Sequence, residues 1–136
     1  MLTVSTDATL LDLDTVHRWL STDAYWALGR PREVVERAVA GSVNFGAYDD
    51  GRLVGYARVV TDRATFAWLC DVYVDPSRRG AGVGTALLEA VSAELSTWQV
   101  RRALLATADA HGVYERFGFA ALEQPERWMA RSFHTS

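Results

Sequence analysis

Apolar positions recur along the chain with the period of helices in some segments and of strands in others. From Asp12 or Asp14 to about Leu20 they return every three or four residues, and either aspartate suits the cap of the first turn. A second helix is predicted from Pro31, which suits a first helical position, to a stop at Gly41. Two helices therefore occupy much of the N-terminal part.

Strand patterns dominate the middle of the chain. Two of them flank Asp49-Asp50-Gly51, a sequence typical of a hairpin turn. A third run, dense in aromatic and β-branched residues, follows a short turn, so these three strands are expected to form an antiparallel meander. The predicted strands are Thr3–Thr6, Val43–Tyr48, Leu53–Val60, Thr65–Val74, Ala103–Ala106 and a closing strand around Trp128–Phe133.

Two further helices are predicted in the second half of the chain. The first follows a glycine-rich turn, and the second runs from His111 to Phe117 and ends at Gly118. A meander followed by a β-α-β crossover predicts an α+β fold around a mixed sheet. The length favours a single domain over residues 1–136. The apolar face of the first of these helices is Val83, Leu87, Leu88, Val91 and Leu95.

Composition and charge exclude several classes of function. Hydrophobic residues make up 49% of the chain, as in an ordinary globular core, and the formal net charge is −3. The basic residues are all arginines, and only those at 78–79 and 101–102 are adjacent. Nucleic-acid binding needs a clustered basic face, which this sequence lacks. We therefore expect no nucleic-acid partner.

The sequence also predicts where the protein acts. Cys70 is the single cysteine, so an intramolecular disulfide is excluded and a secreted disulfide scaffold with it. The first ten residues lack the basic and apolar stretches of a signal peptide, and no apolar run is long enough to span a membrane. We expect a cytoplasmic protein that does not associate with membranes.

A strand end, a glycine-rich turn and a helix start are predicted for Val74-Asp75-Pro76-Ser77-Arg78-Arg79-Gly80-Ala81-Gly82-Val83-Gly84-Thr85. Glycines allow the backbone to turn tightly and to approach a ligand closely. The first amides of a helix lack internal acceptors and lie at the positive end of its dipole. The turn therefore suits a phosphate or pyrophosphate, although a plain tight turn would use the same glycines.

Three phosphate-binding motifs compete for this turn. A dinucleotide fingerprint needs G-x-G-x-x-G and a later acidic residue, but the glycines here are Gly80, Gly82 and Gly84, and the next strand contains no acid. A nucleotide P-loop needs a lysine, and the chain has none. The remaining arrangement, R-x-x-G-x-G from Arg79 to Gly84, resembles the signature of the GNAT acetyltransferases.

A second segment strengthens this resemblance. Ala110 to Phe119 is similar to the A-x-x-x-Y-x-x-x-G-F segment of the same family and follows the glycine turn at the expected distance. The resemblance extends from about Val43 to Phe119. It implies the GNAT fold, a mixed and mostly antiparallel sheet flanked by helices, in which the strands Phe66–Val74 and Ala103–Ala106 lie parallel and splay apart.

The resemblance further implies an acyltransferase that uses acetyl-coenzyme A (acetyl-CoA). The glycine turn would hold the pyrophosphate, the strand before it would pair with the pantetheine arm, and a backbone amide of that strand would polarise the thioester. The family often has an asparagine where this chain has Thr107, so the contacts at that edge stay open. The implied donor-binding residues are Val72, Tyr73, Val74, Arg79, Gly80, Ala81, Gly82, Val83, Gly84, Thr85, Thr107, Asp109 and Tyr114.

Two side chains are candidate catalysts. Tyr114 carries a phenol with an ordinary pKa of about 10, which suits protonation of the departing thiolate. Asp71 lies in an apolar strand, where an acid is costly unless it is paired or functional. The resemblance suggests that Asp71 accepts the amine proton. An ion pair with Arg58 of the neighbouring strand explains Asp71 equally well, and the two roles can coexist.

The acceptor site is predicted around Asp71. Strict alternation puts Phe66, Trp68 and Cys70 on one face of the strand, and Asp71 and Tyr73 on the other. A pocket formed by Asp71, Tyr73 and the loop aromatics would suit a small primary amine with an apolar body. The predicted substrate-binding residues are Tyr25, Trp26, Arg58 and Asp71.

The reaction is expected to be direct transfer within a ternary complex. The alternatives are a peptide or protein amine as acceptor, and a non-catalytic acyl-CoA-binding module. A homodimer is suggested by the resemblance, and the strand Trp128–Phe133 could help to form it. Cys70 is expected to be an inert core residue rather than an acyl carrier. The histidines, His17, His111 and His134, have no metal-ligand spacing, so no metal is expected.

Overall fold

The computed structural model describes residues 1–133, which form a five-stranded sheet with helices on both faces. The sheet order follows the chain, and every neighbouring pair is antiparallel except the last, β4 with β5, which is parallel. This arrangement confirms the predicted α+β fold and its mixed sheet. The elements are β1 Leu2–Ser5, α1 Leu13–Thr22, α2 Arg32–Ala40, β2 Val43–Asp49, β3 Arg52–Thr61, β4 Phe66–Val74, α3 Val83–Trp98, β5 Arg102–Leu104 and α4 His111–Glu115.

The ends of α1 and α2 follow the capping signals in the sequence. Asp12 caps α1, because its side chain accepts a hydrogen bond from the Thr15 amide at 3.1 Å. Pro31 lies one position before α2, where its carbonyl accepts from the first turn, and Gly41 follows the last helical residue. These caps set the length of the loop between the two helices, residues 23–31.

The turn between β2 and β3 explains why those strands form a hairpin. Asp50 and Gly51 have φ angles of 49° and 81°. Two successive residues in the left-handed region are typical of a type I′ turn, whose twist matches that of paired strands. The predicted hairpin is therefore present.

Two hydrophobic clusters cover the two faces of the sheet. On the first face, called the α3 face, Leu87, Leu88 and Val91 pack on the central strands. On the second, called the α1–α2 face, Val16 and Val35 pack with residues of the same strands and of the intervening loop. A site in the sheet can therefore be approached from two different sides.

Gly55 of β3 allows α3 to lie close to the sheet. A Cβ at this position would be 2.7 Å from Val83 Cγ1 and 3.0 Å from Leu87 Cδ1, both closer than side-chain carbons pack. The close contact fixes the first turn of α3 against β3. The position of the glycine turn that precedes α3 is fixed with it.

The predicted closing strand is absent from residues 128–133. After α4 the described chain has only a 3-10 turn, Pro125–Arg127, and otherwise irregular backbone, with Met129 and Phe133 exposed. The aromatic and apolar residues that suggested a strand have no neighbouring strand to pair with among residues 1–133. No helix among residues 1–133 is long and apolar enough to cross a membrane.

Candidate active site

The glycine turn leads from β4 into α3 and leaves the start of the helix open. Gly80 and Gly82 have φ angles of 82° and 86°, a region that strains other residues. Gly82 precedes the helix, and no side chain caps it. The first hydrogen bond of α3 runs from the Ala86 amide to the Gly82 carbonyl, so the amides of residues 83–85 have no acceptor within the helix. Such a helix start can hold a pyrophosphate.

Other parts of the turn are engaged by the protein itself. Arg78 forms an ion pair with Asp49, and the Ala81 amide donates to the Arg78 carbonyl. Val83 is 4% exposed because its side chain lies in the core. Among the predicted donor-binding residues, Val83 can therefore contribute only its amide.

Arg79 ties the turn to the end of α1. Its Nε donates to the Val74 carbonyl at 3.2 Å, its Nη2 lies 3.3 Å from an Asp23 oxygen, and its guanidinium lies 5.3 Å above the Tyr73 ring. The Tyr73 hydroxyl donates to the same Asp23 carboxylate. Burial and this hydrogen bond raise the pKa of Tyr73 to about 12. The position of the turn thus depends on α1 as well as on β4.

The strands β4 and β5 pair only over the three residues of β5, which lie beside the beginning of β4. Their parallel pairs run from Phe66 with Arg102 to Trp68 with Leu104. Beyond Trp68, β4 continues to Val74, and no strand of the described chain lies beside it on that side. The predicted splay of the parallel pair is therefore present. It leaves backbone amides and carbonyls of β4 available to an extended ligand.

A β-bulge interrupts β4 at Asp71. The φ angle of Asp71 is 52°, unusual for a residue other than glycine. Between Cys70 and Tyr73 the register with β3 shifts by one residue, so that Asp71 and Val72 both face Ala57. Bulges of this kind redirect a strand and its side chains.

The bulge changes which side chains share a face. Ala67 and Leu69 pack on the α3 face before the bulge, whereas Val72 and Val74 pack on that face after it. The prediction from strict alternation, which put Asp71 opposite Cys70, was wrong because the bulge inserts one residue into the period. The side chains of β4 on the α1–α2 face are Phe66, Trp68, Cys70, Asp71 and Tyr73.

The Asp71 carboxylate is buried and accepts three hydrogen bonds. Its side chain is 2% exposed. Trp26 Nε1 donates to Oδ1 at 2.8 Å, while Arg30 Nη1 and Arg58 Nε donate to Oδ2 at 2.8 and 2.9 Å. Burial favours the neutral acid, but the charges of Arg58 and Arg30 outweigh it, and the pKa of Asp71 lies below its ordinary value. Asp71 is therefore an ionised and weakly basic group.

Tyr114 presents a free phenol from α4. Its ring packs edge-on against Phe119, with ring centres 6.3 Å apart. Burial raises the pKa of Tyr114, and the neighbouring Tyr25 and Asp109 add to this effect, so the phenol keeps its proton at neutral pH. The hydroxyl is partly buried but reaches the surface, and it has no hydrogen-bond partner between residues 1 and 133. It is free to donate to a ligand.

Tyr25 lies in the loop between α1 and α2, and through it this loop reaches across the sheet to the Tyr114 phenol. The Tyr25 hydroxyl accepts a hydrogen bond from the Ala108 amide at 3.2 Å, and its ring lies perpendicular to that of Trp26. The neighbouring Trp26 bonds to Asp71, so one short loop segment contacts both sides of the gap between β4 and β5. The candidate acid Tyr114 and the predicted acceptor residues meet at this gap.

The remaining predicted residues have local roles that can be read from their contacts. Thr107 Oγ1 accepts from the amide of Ala110, the residue before α4, at 3.1 Å, and Asp109 is exposed beside α4. His17 Nε2 lies 3.1 Å from the Arg30 carbonyl and joins α1 to the end of the loop. His111 is exposed at the start of α4.

Two further residues complete this account. Burial raises the pKa of the Cys70 thiol to about 11, so the group stays protonated at neutral pH. His134 lies outside the described residues.

Comparisons with known proteins agree with this geometry. The family model described as the acetyltransferase (GNAT) family matches residues 13–119. The Gibberella zeae protein FG08082, whose name proposes an acetyltransferase, is 32% identical, with 78% of this chain and 71% of the relative covered. The chain belongs to the GNAT acetyltransferase family.

Solved structures place this GNAT chain among proteins of the same fold. The crystal structure of the GNAT-family protein xcc2953 from Xanthomonas campestris pv. campestris is 47% identical and has a TM-score of 0.93, with 97% of this chain and 93% of that chain covered. Rv2747 from Mycobacterium tuberculosis, solved in complex with CoA and NLQ, is 22% identical with a TM-score of 0.74, over 89% and 73% of the two chains, and shows the fold alone. The GNAT chain is an acyltransferase of a family that uses acetyl-CoA.

Sequence reasoning missed two residues of this GNAT site. Arg30 lies 41 positions before Asp71, and Asp23 lies 50 positions before Tyr73. Both belong to the loop region after α1, where no periodic pattern predicts which way a side chain points. The position of Arg30 directly before Pro31 marks a loop end, but nothing in the sequence links it to β4.

Proposed function

We propose that this protein transfers the acetyl group of acetyl-CoA to a primary amine of a small molecule, by direct attack in a ternary complex. The observation that carries the proposal is the meeting of three features at one gap. The free phenol of Tyr114, the loop segment of Tyr25 and Trp26, and the unpaired edge of β4 all border the space where β4 leaves β5.

The donor would lie along the α3 end of β4. Acetyl-CoA supplies an acetyl group activated as a thioester. The amides of residues 83–85 suit its pyrophosphate, since they have neither an internal acceptor nor a side-chain cap. The backbone of β4 from Val72 to Val74 suits the pantetheine arm, and an amide at the bulge would polarise the thioester carbonyl.

Tyr114 is proposed as the general acid. When the amine nitrogen bonds to the acetyl carbon, the carbon–sulfur bond breaks and the sulfur needs a proton. Burial keeps the Tyr114 phenol protonated, and its hydroxyl has no competing partner among the described residues. A phenol and a thiolate of similar basicity exchange a proton with little energetic cost.

Asp71 is proposed to position other groups rather than to act as the base. Its two oxygens already accept from Trp26, Arg30 and Arg58, and its pKa is lowered. A carboxylate in this state is a poor proton acceptor. The amine is therefore expected to react in its neutral form and to lose its proton to water. Direct transfer also agrees with the raised pKa of Cys70, which leaves little thiolate to carry an acyl group.

The test is thiol release from acetyl-CoA over a panel of small amines and one peptide with a free amino group. We expect turnover of small amines, and we expect Tyr114→Phe to lower kcat by about a hundredfold, a typical contribution of general acid catalysis, with little change in the KM for acetyl-CoA. Tyr48→Phe is the matched control, because Tyr48 lies in the cluster under α1 and its variant should keep wild-type kinetics.

Three results would count against the proposal. Unchanged kcat in Tyr114→Phe would exclude the phenol as the acid. Acetylation of the peptide alone would exclude a small-molecule acceptor. Binding of acetyl-CoA with no turnover of any amine would exclude the transfer reaction as stated.

A further inference from the structure

The acceptor side of the gap carries an excess of positive charge. Arg30 and Arg58 both donate to the same oxygen of Asp71, which brings the two guanidinium groups side by side. The side chains of the two arginines are only 21% and 14% exposed. Asp71 is the carboxylate that both arginines contact. The two arginines and the single aspartate together carry a formal charge of +1, and this charge is half-buried.

Several donors of this arginine pair remain free. Arg58 uses Nε for Asp71 and Nη1 for Ser42, and Arg30 uses only Nη1. The other guanidinium nitrogens have no partner within residues 1–133, and none of them is fully buried. A guanidinium offers five N–H donors in a fixed plane that matches an anionic oxygen group. The pair can thus bind an anion without releasing Asp71.

An open apolar surface lies next to the arginine pair. Val60 of β3 and Trp68 of β4 are directly paired, one step along the α1–α2 face from Arg58 and Cys70. Val60 is 40% exposed and Phe66 is 37% exposed. This surface begins where β4 separates from β5, so it borders the gap in which transfer is proposed.

We propose that the acceptor amine also carries a carboxylate, which Arg30 and Arg58 bind while the apolar part of the molecule lies on Val60 and Trp68. This inference rests on the proposed function and names its substrate class: an amino acid with an apolar side chain. A single carboxylate neutralises the formal charge of +1, whereas a phosphate monoester, with a charge of about −1.5 to −2, would exceed it. Asp71 acts as a positioning residue that holds both guanidinium groups in place.

The charge balance argues against a purely cationic acceptor such as a diamine. Asp71 alone would attract such a cationic molecule. If Asp71 were paired with only one arginine, this attraction would still be possible. The second arginine, Arg30, reverses the sign of the site. A half-buried excess charge is unfavourable unless a counter-charge joins it, and the substrate carboxylate supplies that charge.

The first experiment compares pairs of acceptors that differ only in the carboxylate: phenylalanine with phenethylamine, tryptophan with tryptamine, and leucine with isopentylamine. We expect wild-type kcat/KM to favour each amino acid by about tenfold or more, the contribution of one hydrogen bond to a charged group. Arg30→Gln should remove most of this preference by raising the KM for the amino acids. Arg37→Gln, an exposed arginine on α2, is the matched control and should keep the preference.

The second experiment needs no turnover and uses the Trp26 indole N–H, which bonds to Asp71. Its NMR signal, assigned with Trp26→Phe, should shift when N-acetylphenylalanine is added to the wild type and should not shift in Arg30→Gln. N-acetylphenethylamine should have no comparable effect. If no amine is turned over while this shift appears, the proposed function fails and the carboxylate site stands.

Three results would overturn the inference. One is equal kcat/KM for both members of each pair in the wild type. Another is an unchanged preference in Arg30→Gln. The third is a preference for aminoalkyl phosphates over amino acids of the same length, which would assign the arginine pair to phosphate instead.

Discussion

Tyr25 and Ala108 are joined by a hydrogen bond although 83 positions separate them in the sequence. The Ala108 amide donates to the Tyr25 hydroxyl at 3.2 Å, and this contact connects the loop after α1 with the segment between β5 and α4. The two segments lie on opposite sides of the gap between β4 and β5. Their contact therefore spans the place where we propose that acetyl transfer occurs.

The first prediction concerns this contact. Tyr25→Phe removes the acceptor of the Ala108 amide, and a hydrogen bond of this kind contributes about 0.5–1.5 kcal/mol. We expect the Ala108 amide to exchange its hydrogen up to about tenfold faster in native-state exchange experiments. Tyr48→Phe should leave that rate unchanged, and an unchanged rate in Tyr25→Phe would show that the contact does not form in solution.

The glycine turn gives a second prediction. Gly82→Ala places a side chain at a φ of 86° and should destabilise the protein by about 1–2 kcal/mol, while weakening acetyl-CoA binding because the amides of residues 83–85 move. Gly84→Ala is the control for stability: its Cβ would lie an ordinary 3.7 Å from Val74, and alanine suits a helix. Thermal unfolding without ligand and calorimetric titration with acetyl-CoA measure the two effects. Equal melting temperatures for both variants would contradict the role of the left-handed conformation.

A third prediction tests the close packing of α3 on β3. Gly55→Ala puts a Cβ 2.7 Å from Val83 Cγ1, so we expect a loss of about 1–3 kcal/mol in the free energy of unfolding. The double variant Gly55→Ala with Val83→Ala removes the clash and should recover part of that loss. Chemical denaturation measures the free energy of unfolding of the single and double variants. If the loss in the double variant equals the sum of the losses in Gly55→Ala and Val83→Ala, the result would count against the contact.

The pH dependence of Cys70 provides a fourth prediction. Only the thiolate reacts with iodoacetamide, and burial raises the pKa of this thiol from 9.0 to about 11. A raised pKa means less thiolate at every pH below it. The logarithm of the alkylation rate of the folded protein should therefore rise steadily from pH 7 to pH 10 without levelling. The urea-unfolded protein should level off near the ordinary thiol pKa, and the same levelling in the folded protein would contradict the effect of burial.

Most of the fold follows from signals that act over a few residues. Asp12, Gly41 and the pair Asp50–Gly51 mark helix and turn boundaries because caps and turns depend on local backbone geometry. The glycine turn and the Ala110–Phe119 segment are also short, local sequence patterns, and they predicted the family correctly. The strand predicted at 128–133 was wrong, because a strand forms only where another strand pairs with it, and local composition does not reveal that partner.

The acceptor side could be predicted only in part. The costly position of Asp71 in an apolar strand pointed to a partner, and Arg58 on the adjacent strand is one. Arg30 and Trp26 reach Asp71 from a loop whose path depends on how α1 and α2 pack on the sheet. The bulge at Asp71 is equally hidden from periodic patterns, because one residue in the left-handed region shifts every side chain after it.

The separation of β4 from β5 has a consequence for solubility. Beyond Trp68, β4 offers unpaired backbone groups on one side, as an edge strand does, and such edges recruit foreign strands and promote aggregation. In the proposed complex the pantetheine arm satisfies those groups, so the donor protects the protein as well as supplying the acetyl group. Preparations saturated with coenzyme A should therefore remain monodisperse at concentrations at which the ligand-free protein associates.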